Sequence, residues 1–393
     1  MSLDDEARSA LAHLKHIHRL RVPKVVDGAV GERMTVDGRE VLDFASNDYL
    51  SLSRDPRLAQ AAQRAIDECG VGAGASRLIS GNHRHHVALE HCLADWLRIS
   101  GSGDKCGVRM FSSGYAANNG VLTALLGPGD VVFSDALNHA SIVDGCRLSR
   151  AEIAVFPHRD LHALERMLGS RVGRRRLVVS ETLFSMDGDV ADVAALAALC
   201  SRHDAALMLD EAHAIAARGP EGRGEAAQAG VTPDLLIGTC GKALGVFGAF
   251  VATTPAIADL LWNRARPLIF STALPPMLAA ATVRAVEIVR SSEGNLRRET
   301  LADRARLLRR SVAGLGGVED GPIAPLIVGD DRKTMELSAW LWERGIFAQG
   351  IRYPTVPVGT ARIRMSLHCG ISVQDIENTS IIVNDAVSQS HVA

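Results

Sequence analysis

The sequence predicts an α/β fold, with a large domain on a mostly parallel seven-stranded sheet and a smaller α+β domain at the C-terminal end. Three observations carry that expectation. Short apolar runs recur at 108–111, 131–133, 153–156, 177–179, 206–209, 235–237 and 249–252, each the length of a buried strand. Most are separated by helix-like segments, and such alternation implies a parallel sheet covered on both faces. After about residue 285 the rhythm changes, with helical stretches around 296–315 and 334–344 alternating with strand-like runs at 323–328 and 361–366. The expected organisation is an N-terminal helix followed by an extended arm over 1–50, a large domain over 51–285 and a small domain over 286–393.

Local signals support the first elements. Asp55-Pro56 offers a cap followed by a proline at the first helical position. Leu58, Ala62, Ala65 and Cys69 then recur at helical spacing, and Gly70 ends the run. Leu89, Cys92, Leu93, Trp96 and Leu97 form a second apolar stripe. Both stripes read as core faces. His83, His85, His86 and His91 at the start of that second helix read as a polar, solvated face rather than as a metal site.

Composition narrows the class. With 393 residues, 47% of them hydrophobic and 22% charged, the chain can build a sizeable core and is not disordered. A net charge of -2, without a long run of one sign, argues against a nucleic-acid-binding surface as the main function. The seven cysteines, at 69, 92, 106, 146, 200, 240 and 369, are dispersed and form no CxxC pair. They suit a reduced protein better than a disulfide scaffold or a zinc site. Met1-Ser2-Leu3-Asp4-Asp5-Glu6 brings acids where a secretory signal needs an apolar stretch. No apolar run is long enough to span a bilayer, so a soluble, cytoplasmic protein is expected.

Ligands in open α/β sheets sit beyond the carboxyl ends of the strands, which singles out four segments. Ser112-Ser113-Gly114-Tyr115-Ala116-Ala117-Asn118-Asn119-Gly120 is a small-residue turn from strand into helix. Its free N–H groups make a phosphate seat, although a bare connection is the simpler reading. Glu181-Thr182-Leu183-Phe184-Ser185-Met186-Asp187-Gly188-Asp189 follows the fourth run, and Leu207-Met208-Leu209-Asp210-Glu211-Ala212-His213 contains the fifth. An acid ending a buried strand is costly unless it meets a cation, and a protonated pyridine nitrogen is one such partner. His213 could reach the same ligand. Gly238-Thr239-Cys240-Gly241-Lys242-Ala243-Leu244-Gly245 sets a lysine among glycines inside an apolar stretch. Burial favours the neutral amine that Schiff-base chemistry needs, and the glycines let a cofactor approach the backbone.

Two rival readings fail on spacing. Gly241-Lys242 lacks the GxxxxGK[ST] pattern of a P-loop, and Ala243 stands where Ser or Thr would hold magnesium. Asp210-Glu211-Ala212-His213 spells a helicase DEAH box, but no P-loop precedes it to seat a triphosphate.

In this order, the four segments resemble the α-oxoamine synthases, a family of fold-type I pyridoxal-phosphate enzymes. The resemblance runs from Phe44-Ala45-Ser46-Asn47-Asp48-Tyr49-Leu50 to Thr360-Ala361-Arg362-Ile363-Arg364. Between them lie Leu137-Asn138-His139-Ala140-Ser141, Phe184-Ser185-Met186-Asp187-Gly188 and Phe270-Ser271-Thr272-Ala273-Leu274-Pro275-Pro276. It implies pyridoxal 5′-phosphate carried on Lys242, with Asp210 pairing the ring nitrogen. His139 would stack on the ring and orient the thioester, and Ser185 and His213 would surround the ring hydroxyl. Gly114, Tyr115 and Thr239 match cofactor and phosphate contacts. Ser271 and Thr272 match a segment that reaches the neighbouring subunit's phosphate, which implies a homodimer with shared sites. Asn47 and Arg364 would hold the amino-acid carboxylate, while Arg19, Arg352 and Thr355 would contact the acyl substrate.

The implied activity is decarboxylative condensation of an amino acid with an acyl thioester, with Lys242 as general base. Pro325-Leu326-Ile327-Val328-Gly329-Asp330 and Ile351-Arg352-Tyr353-Pro354-Thr355-Val356-Pro357 weigh toward the branch that joins L-alanine to a pimeloyl thioester, on coenzyme A or acyl carrier protein, in biotin synthesis. Glycine or serine with another acyl-CoA is the alternative. A silent homologue serving as a partner subunit is a third reading, opposed by retention of Lys242, Asp210, His139 and His213. Arg352 suits an acyl chain ending in a carboxylate, and a surface ion pair is its other explanation. The chain departs from the family at His213-Ala214-Ile215-Ala216-Ala217, where His-Gly-Thr-Gly-Val is common, and at Glu211, where a second Asp is common. The lost glycines are expected to stiffen or reshape this loop.

Overall fold

All seven apolar runs become strands of one sheet. The computed structural model describes residues 2–28, 31–99 and 106–388. It divides into a larger unit, Leu50–Ser185 with Val190–Arg298, and a smaller unit that takes the chain up to Tyr49, the segment Met186–Asp189 and the chain from Glu299 onward. The divide at 298/299 falls inside the helix Ser292–Ser311.

In the smaller unit the N-terminal arm is more ordered than an extended connection. After the helix Leu3–His16 come strands β1 (Val26–Asp27), β2 (Arg33–Val36) and β3 (Arg39–Asp43). Asp37-Gly38 closes β2 onto β3 with both φ angles positive, 48° and 77°. That is the hairpin turn whose twist matches the strands it joins.

In the larger unit the sheet strands are β4 (Gly107–Phe111), β5 (Val131–Asp135), β6 (Glu152–Phe156), β7 (Arg176–Glu181), β8 (Ala206–Asp210), β9 (Leu235–Thr239) and β10 (Ala249–Thr253). Their order is β4-β10-β9-β8-β7-β5-β6. β10 runs antiparallel to β4 and β9, and the remaining pairs are parallel. β5, β9 and β10 are buried along their whole length, as strands covered on both faces must be. Edge strand β6 instead exposes Ile153 and Val155.

The helix Pro56–Cys69 starts as its sequence suggests, with Asp55 capping the Arg57 N–H at 3.0 Å. Its buried line is Leu58, Ala61 and Ala65, so Ala61 rather than Ala62 faces the core. In the helix Arg84–Leu97, Leu89, Leu93, Trp96 and Leu97 are buried. His86 corrects the solvated-face reading: it is buried, accepts the His83 N–H at Nδ1 (3.1 Å) and meets the Leu274 carbonyl at Nε2 (2.6 Å). Burial lowers its pKa to about 4, so the ring is neutral and its Nε2 proton reaches Leu274.

The smaller unit is completed by β11 (Ile323–Gly329), β12 (Ile346–Phe347), β13 (Gln349–Ile351) and β14 (Ala361–Ser366). β12 adds in parallel to β3, giving the order β1-β2-β3-β12, and β11-β14-β13 form a second sheet. Gly188 shows why the segment Met186–Asp189 needs its glycine: φ is 65°, and a Cβ there would lie 2.3 Å from the Ile323 carbonyl oxygen. Among the described residues, no helix is long and apolar enough to cross a membrane.

Candidate active site

The chemistry of the larger unit gathers where β7, β8 and β9 end. Asp210 closes β8 and is 5% exposed. Its Oδ2 accepts the Asn118 Nδ2–H at 2.8 Å and its Oδ1 accepts the Ala212 N–H at 2.9 Å. Donors on both oxygens hold an anion in a place where a bare carboxylate is expensive. Lys242 Nζ lies 2.8 Å from His213 Nε2. The loop carrying the lysine is closed at its base: Thr239 Oγ1 donates to the Gly248 carbonyl (3.0 Å), just before β10, and accepts the Gly241 N–H (3.2 Å). Gly245 closes that loop at φ 68°, where a Cβ would sit 2.5 Å from the Ser53 nitrogen.

His139 caps the helix Ala140–Ser149. Its Nδ1 accepts the Ser141 N–H at 3.2 Å and lies 2.8 Å from Ser141 Oγ, so the ring proton belongs on Nε2. Partial burial lowers its pKa, the Asp210 charge raises it and Lys242 lowers it. Asn118 Nδ2 also reaches Ser141 Oγ at 2.9 Å. A continuous chain of contacts therefore runs Asp210, Asn118, Ser141, His139.

The two glutamates differ in task. Glu181 ends β7 in register with Asp210, and its Oε2 accepts the Ser185 N–H at 3.2 Å. Glu211 turns away from these groups. Its carboxyl accepts the Ala226 N–H (2.7 Å), the Glu225 N–H (3.1 Å) and the Thr182 hydroxyl (2.9 Å). It thus anchors the return of the loop after His213, and burial raises its pKa to about 7. That loop is buried from Ala214 to Ala217, and Ala216 sits at φ 67°. The lost glycine has left an alanine in left-handed backbone.

Gly114 begins the helix Gly114–Leu125, capped by Ser113, whose Oγ accepts the Ala116 N–H at 3.1 Å. A Cβ on Gly114 would meet nothing within 4 Å, so the helix N-terminus opens onto free space. Tyr115 is exposed and its hydroxyl donates to Asp144. Ser185 is buried, and Thr272 is exposed on the 270–275 segment, held by the His86–Leu274 contact and by the Ala273 N–H to the Ala75 carbonyl at 3.0 Å.

The smaller unit holds the other expected residues. Arg364 donates from Nη1 to Ser366 Oγ (2.7 Å) and from Nη2 to Asn47 Oδ1 (3.1 Å). Tyr49 donates to the same Asn47 oxygen at 3.1 Å. Arg352 is only 7% exposed and bonds the Leu20 carbonyl at 2.6 Å, which rules out the surface ion pair. Its Nε is buried without a partner, and burial, then neighbouring Arg21, lowers its pKa. Arg352, Thr355, Arg21 and Lys24 line a groove of about 870 Å³ that also exposes Trp342 and Phe347 and contains no acid. Arg19 is engaged elsewhere, with Asp331 at 2.7 Å and with its guanidinium 4.5 Å from the Tyr353 ring centre.

This arrangement has counterparts. A model of the class I and II aminotransferases matches residues 39–379. The chain belongs to that family. An 8-amino-7-oxononanoate synthase from Geobacter metallireducens is 47% identical over 89% of this chain and 90% of its own length. The synthase of that name from Geobacter sulfurreducens is 46% identical, covering 93% of this chain and 94% of the relative. Among solved structures, a serine palmitoyltransferase from S. paucimobilis with bound PLP and myriocin superposes with a TM-score of 0.93 at 26% identity over the full length of both chains. An 8-amino-7-oxononanoate synthase from Francisella tularensis gives 0.76 at 27% identity, covering 90% of this chain and 99% of the other. The α/β fold expected from the apolar runs is thus the fold of pyridoxal-phosphate enzymes. Within the family the chain groups with the 8-amino-7-oxononanoate synthases.

The residues present fit pyridoxal phosphate. They supply an amine on Lys242, a carboxylate held as an anion on Asp210, and an open helix N-terminus at Gly114. Asn118 Oδ1 is buried without a hydrogen-bond partner in this same cluster. Sequence reasoning missed Asn118, Ser141, Glu181, Tyr49 and Arg21. Asn118 and Ser141 each lay inside a segment already singled out, and only the spacing of four along the helix from Gly114 pointed Asn118 the same way.

Proposed function

We propose that this pyridoxal-phosphate-dependent acyltransferase condenses L-alanine with a pimeloyl thioester to give 8-amino-7-oxononanoate, a step of biotin synthesis. The observation that carries the reading is the Lys242 amine 2.8 Å from His213 in the unit where Asp210 is held as an anion. When bound, the cofactor supplies an electron sink that stabilises a carbanion next to the amino group. Lys242 is the residue that would hold it, Asp210 would pair its ring nitrogen, and Ser185 and His213 would meet the ring hydroxyl. Gly114, Tyr115 and Thr239 are assigned to the phosphate end.

The protein's own groups then divide the work. Lys242 Nζ takes the proton from the alanine Cα, and His213 Nε2 keeps that amine oriented. His139, with its proton on Nε2, presents a donor to the thioester. The acyl carbonyl carbon bonds to the alanine Cα, the thiol leaves with a proton, the alanine carboxyl departs as carbon dioxide, and Cα takes up a proton from solvent in place of the lost carboxyl. Arg364 and Asn47 hold that carboxyl beforehand, since a guanidinium can grip it with two N–H groups. Arg352 and Thr355, in a groove with three cations and no acid, suit the far carboxylate of the acyl chain. Arg19, paired with Asp331, is assigned to support of that groove.

The active form is proposed to be a homodimer, with Ser271 and Thr272 completing the neighbouring subunit's phosphate site. Phe270, Phe247 and Ile79, which are 69%, 52% and 81% exposed, support a partner surface on this unit. Borohydride reduction followed by peptide mass mapping tests the main assignment, which predicts a cofactor label on Lys242; an unlabelled Lys242 overturns it. Pairing alanine, glycine and serine with pimeloyl, short and long thioesters tests the substrates, with alanine and pimeloyl expected to be preferred.

A further inference from the structure

Glu181 has no place in the steps above, yet it lies at their centre. It is 3% exposed, and its strand pairing sets it directly opposite Asp210. Two carboxyls in register on neighbouring strands, with water excluded, cannot both ionise cheaply. Their partners are unequal. Asp210 has donors on both oxygens, from Asn118 and Ala212, at 2.8 and 2.9 Å. Glu181 Oε2 has the Ser185 N–H at 3.2 Å, while its Oε1 is buried without a hydrogen-bond partner. The anion therefore belongs on Asp210 and the shared proton on Glu181.

Position gives Glu181 a use. Glu181 lies between two segments that carry site side chains. Its carboxyl holds the Ser185 backbone, and the backbone N–H of His139 also acts on it. Its own N–H donates to Asn138 Oδ1 at 2.9 Å, which pins the residue just before His139.

We propose that Glu181 is a positioning residue of the cofactor site: as a neutral carboxylic acid it ties the Ser185 and His139 segments together beside Asp210 and leaves Asp210 the single anion of the pair. Two charged groups face it, with opposite effects. Burial and then Asp210 raise its pKa, to about 8, while Lys242 lowers it. This inference rests on the assignment of Asp210, Ser185 and His139 to the cofactor.

Glutamine copies a neutral acid in shape and hydrogen bonding, whereas leucine copies only bulk. Cofactor-free parent, Glu181→Gln and Glu181→Leu are titrated with pyridoxal phosphate, with circular dichroism to establish that each is folded. The parent is expected to bind, Glu181→Gln to bind within about threefold of it, and Glu181→Leu to bind about tenfold or more weakly, the loss expected from one buried hydrogen bond. The visible absorption of the bound cofactor is then followed from pH 6 to 10. A step that belongs to Glu181 is expected in the parent and absent in Glu181→Gln. Glu181→Gln binding as weakly as Glu181→Leu, Glu181→Leu binding as tightly as the parent, or identical pH curves for parent and Glu181→Gln each overturn the proposal. A misfolded Glu181→Leu leaves the decision to Glu181→Gln alone. A parent that does not bind the cofactor instead overturns the assignment beneath it.

Discussion

Asn118 donates its side-chain N–H to Asp210 at 2.8 Å and, from the same nitrogen, to Ser141 at 2.9 Å. One amide thus supports the anion proposed to pair with the cofactor ring and the hydroxyl that fixes the His139 tautomer. Removing a donor from a buried charge costs about 1.5–3 kcal/mol, or about 10- to 100-fold in an equilibrium constant. Asn118→Ala is expected to weaken pyridoxal-phosphate binding by that factor, read by titration of the cofactor-free protein. Asn118→Asp is expected to be worse, because it sets a third carboxyl against Asp210 and Glu181.

Arg364 gives a test of the amino-acid end. Its two terminal nitrogens reach Ser366 and Asn47, a forked geometry that a lysine cannot reproduce. Arg364→Lys is expected to raise the KM for alanine at least about tenfold while the cofactor stays bound. Tyr49→Phe removes one hydrogen bond to Asn47 and keeps the guanidinium, so a rise of about threefold to tenfold is expected. Steady-state kinetics with spectroscopic measurement of cofactor content separates the two effects.

At the acyl end the informative quantity is a ratio. Arg352 is buried in an acid-free groove beside Arg21 and Lys24. Arg352→Gln is expected to lower kcat/KM for a pimeloyl thioester at least about tenfold relative to a methyl-ended chain of equal length, for which it should change little. An equal loss on both substrates would mean that Arg352 only braces the arm through the Leu20 carbonyl.

The strands were legible because burial on both faces writes them as uninterrupted apolar runs, and Asp210 and Lys242 were legible because chemistry breaks those runs at their ends. Strand order was not, since β10 enters between β4 and β9 and no local signal encodes that crossing. The strands of the N-terminal arm were not legible although Asp37-Gly38 carries a turn signal, because they are short and β1 is exposed. His86 resembled its half-buried neighbours His83 and His85 and is fully buried, with a contact 188 residues away. Arg352 and Arg19 looked alike in sequence; burial without an acid and pairing with Asp331 distinguish them only in three dimensions.

Ala216 offers a test of the unusual loop. An alanine at φ 67° pays for the clash of its Cβ with the backbone, about 1–2 kcal/mol, which a glycine avoids. Glycine loses about 0.5–1 kcal/mol in chain entropy on folding. Ala216→Gly is therefore expected to stabilise the protein by about 0.5–1 kcal/mol, seen as a higher urea midpoint at unchanged slope. The Ala216 N–H to the Gly222 carbonyl, 2.7 Å, is a backbone contact and survives the change.

The acid limit of stability should be set in the larger unit by a cluster of two carboxyls and two arginines that takes no part in the proposed chemistry. Asp55 caps its helix and receives Arg57 at 2.7 Å and Arg297 at 3.1 Å, and both arginines also bind Glu293. The Arg57 hydrogen bond is the largest cause holding the Asp55 pKa at about 2, and it does the same for Glu293. A folded pKa below the unfolded one means that the unfolded chain binds more protons, so the stabilisation is complete above the ordinary carboxylate range and is lost as pH falls toward 2. For Asp55, whose side chain is 4% exposed, the contribution is about 1–2 kcal/mol. Glu293 is 38% exposed and screened by water, so it adds less. Asp55→Asn is expected to lower the urea midpoint at pH 7 and to leave it less dependent on pH between 5 and 3. A parent and variant that fall in parallel over that range would show that other carboxylates set the acid limit.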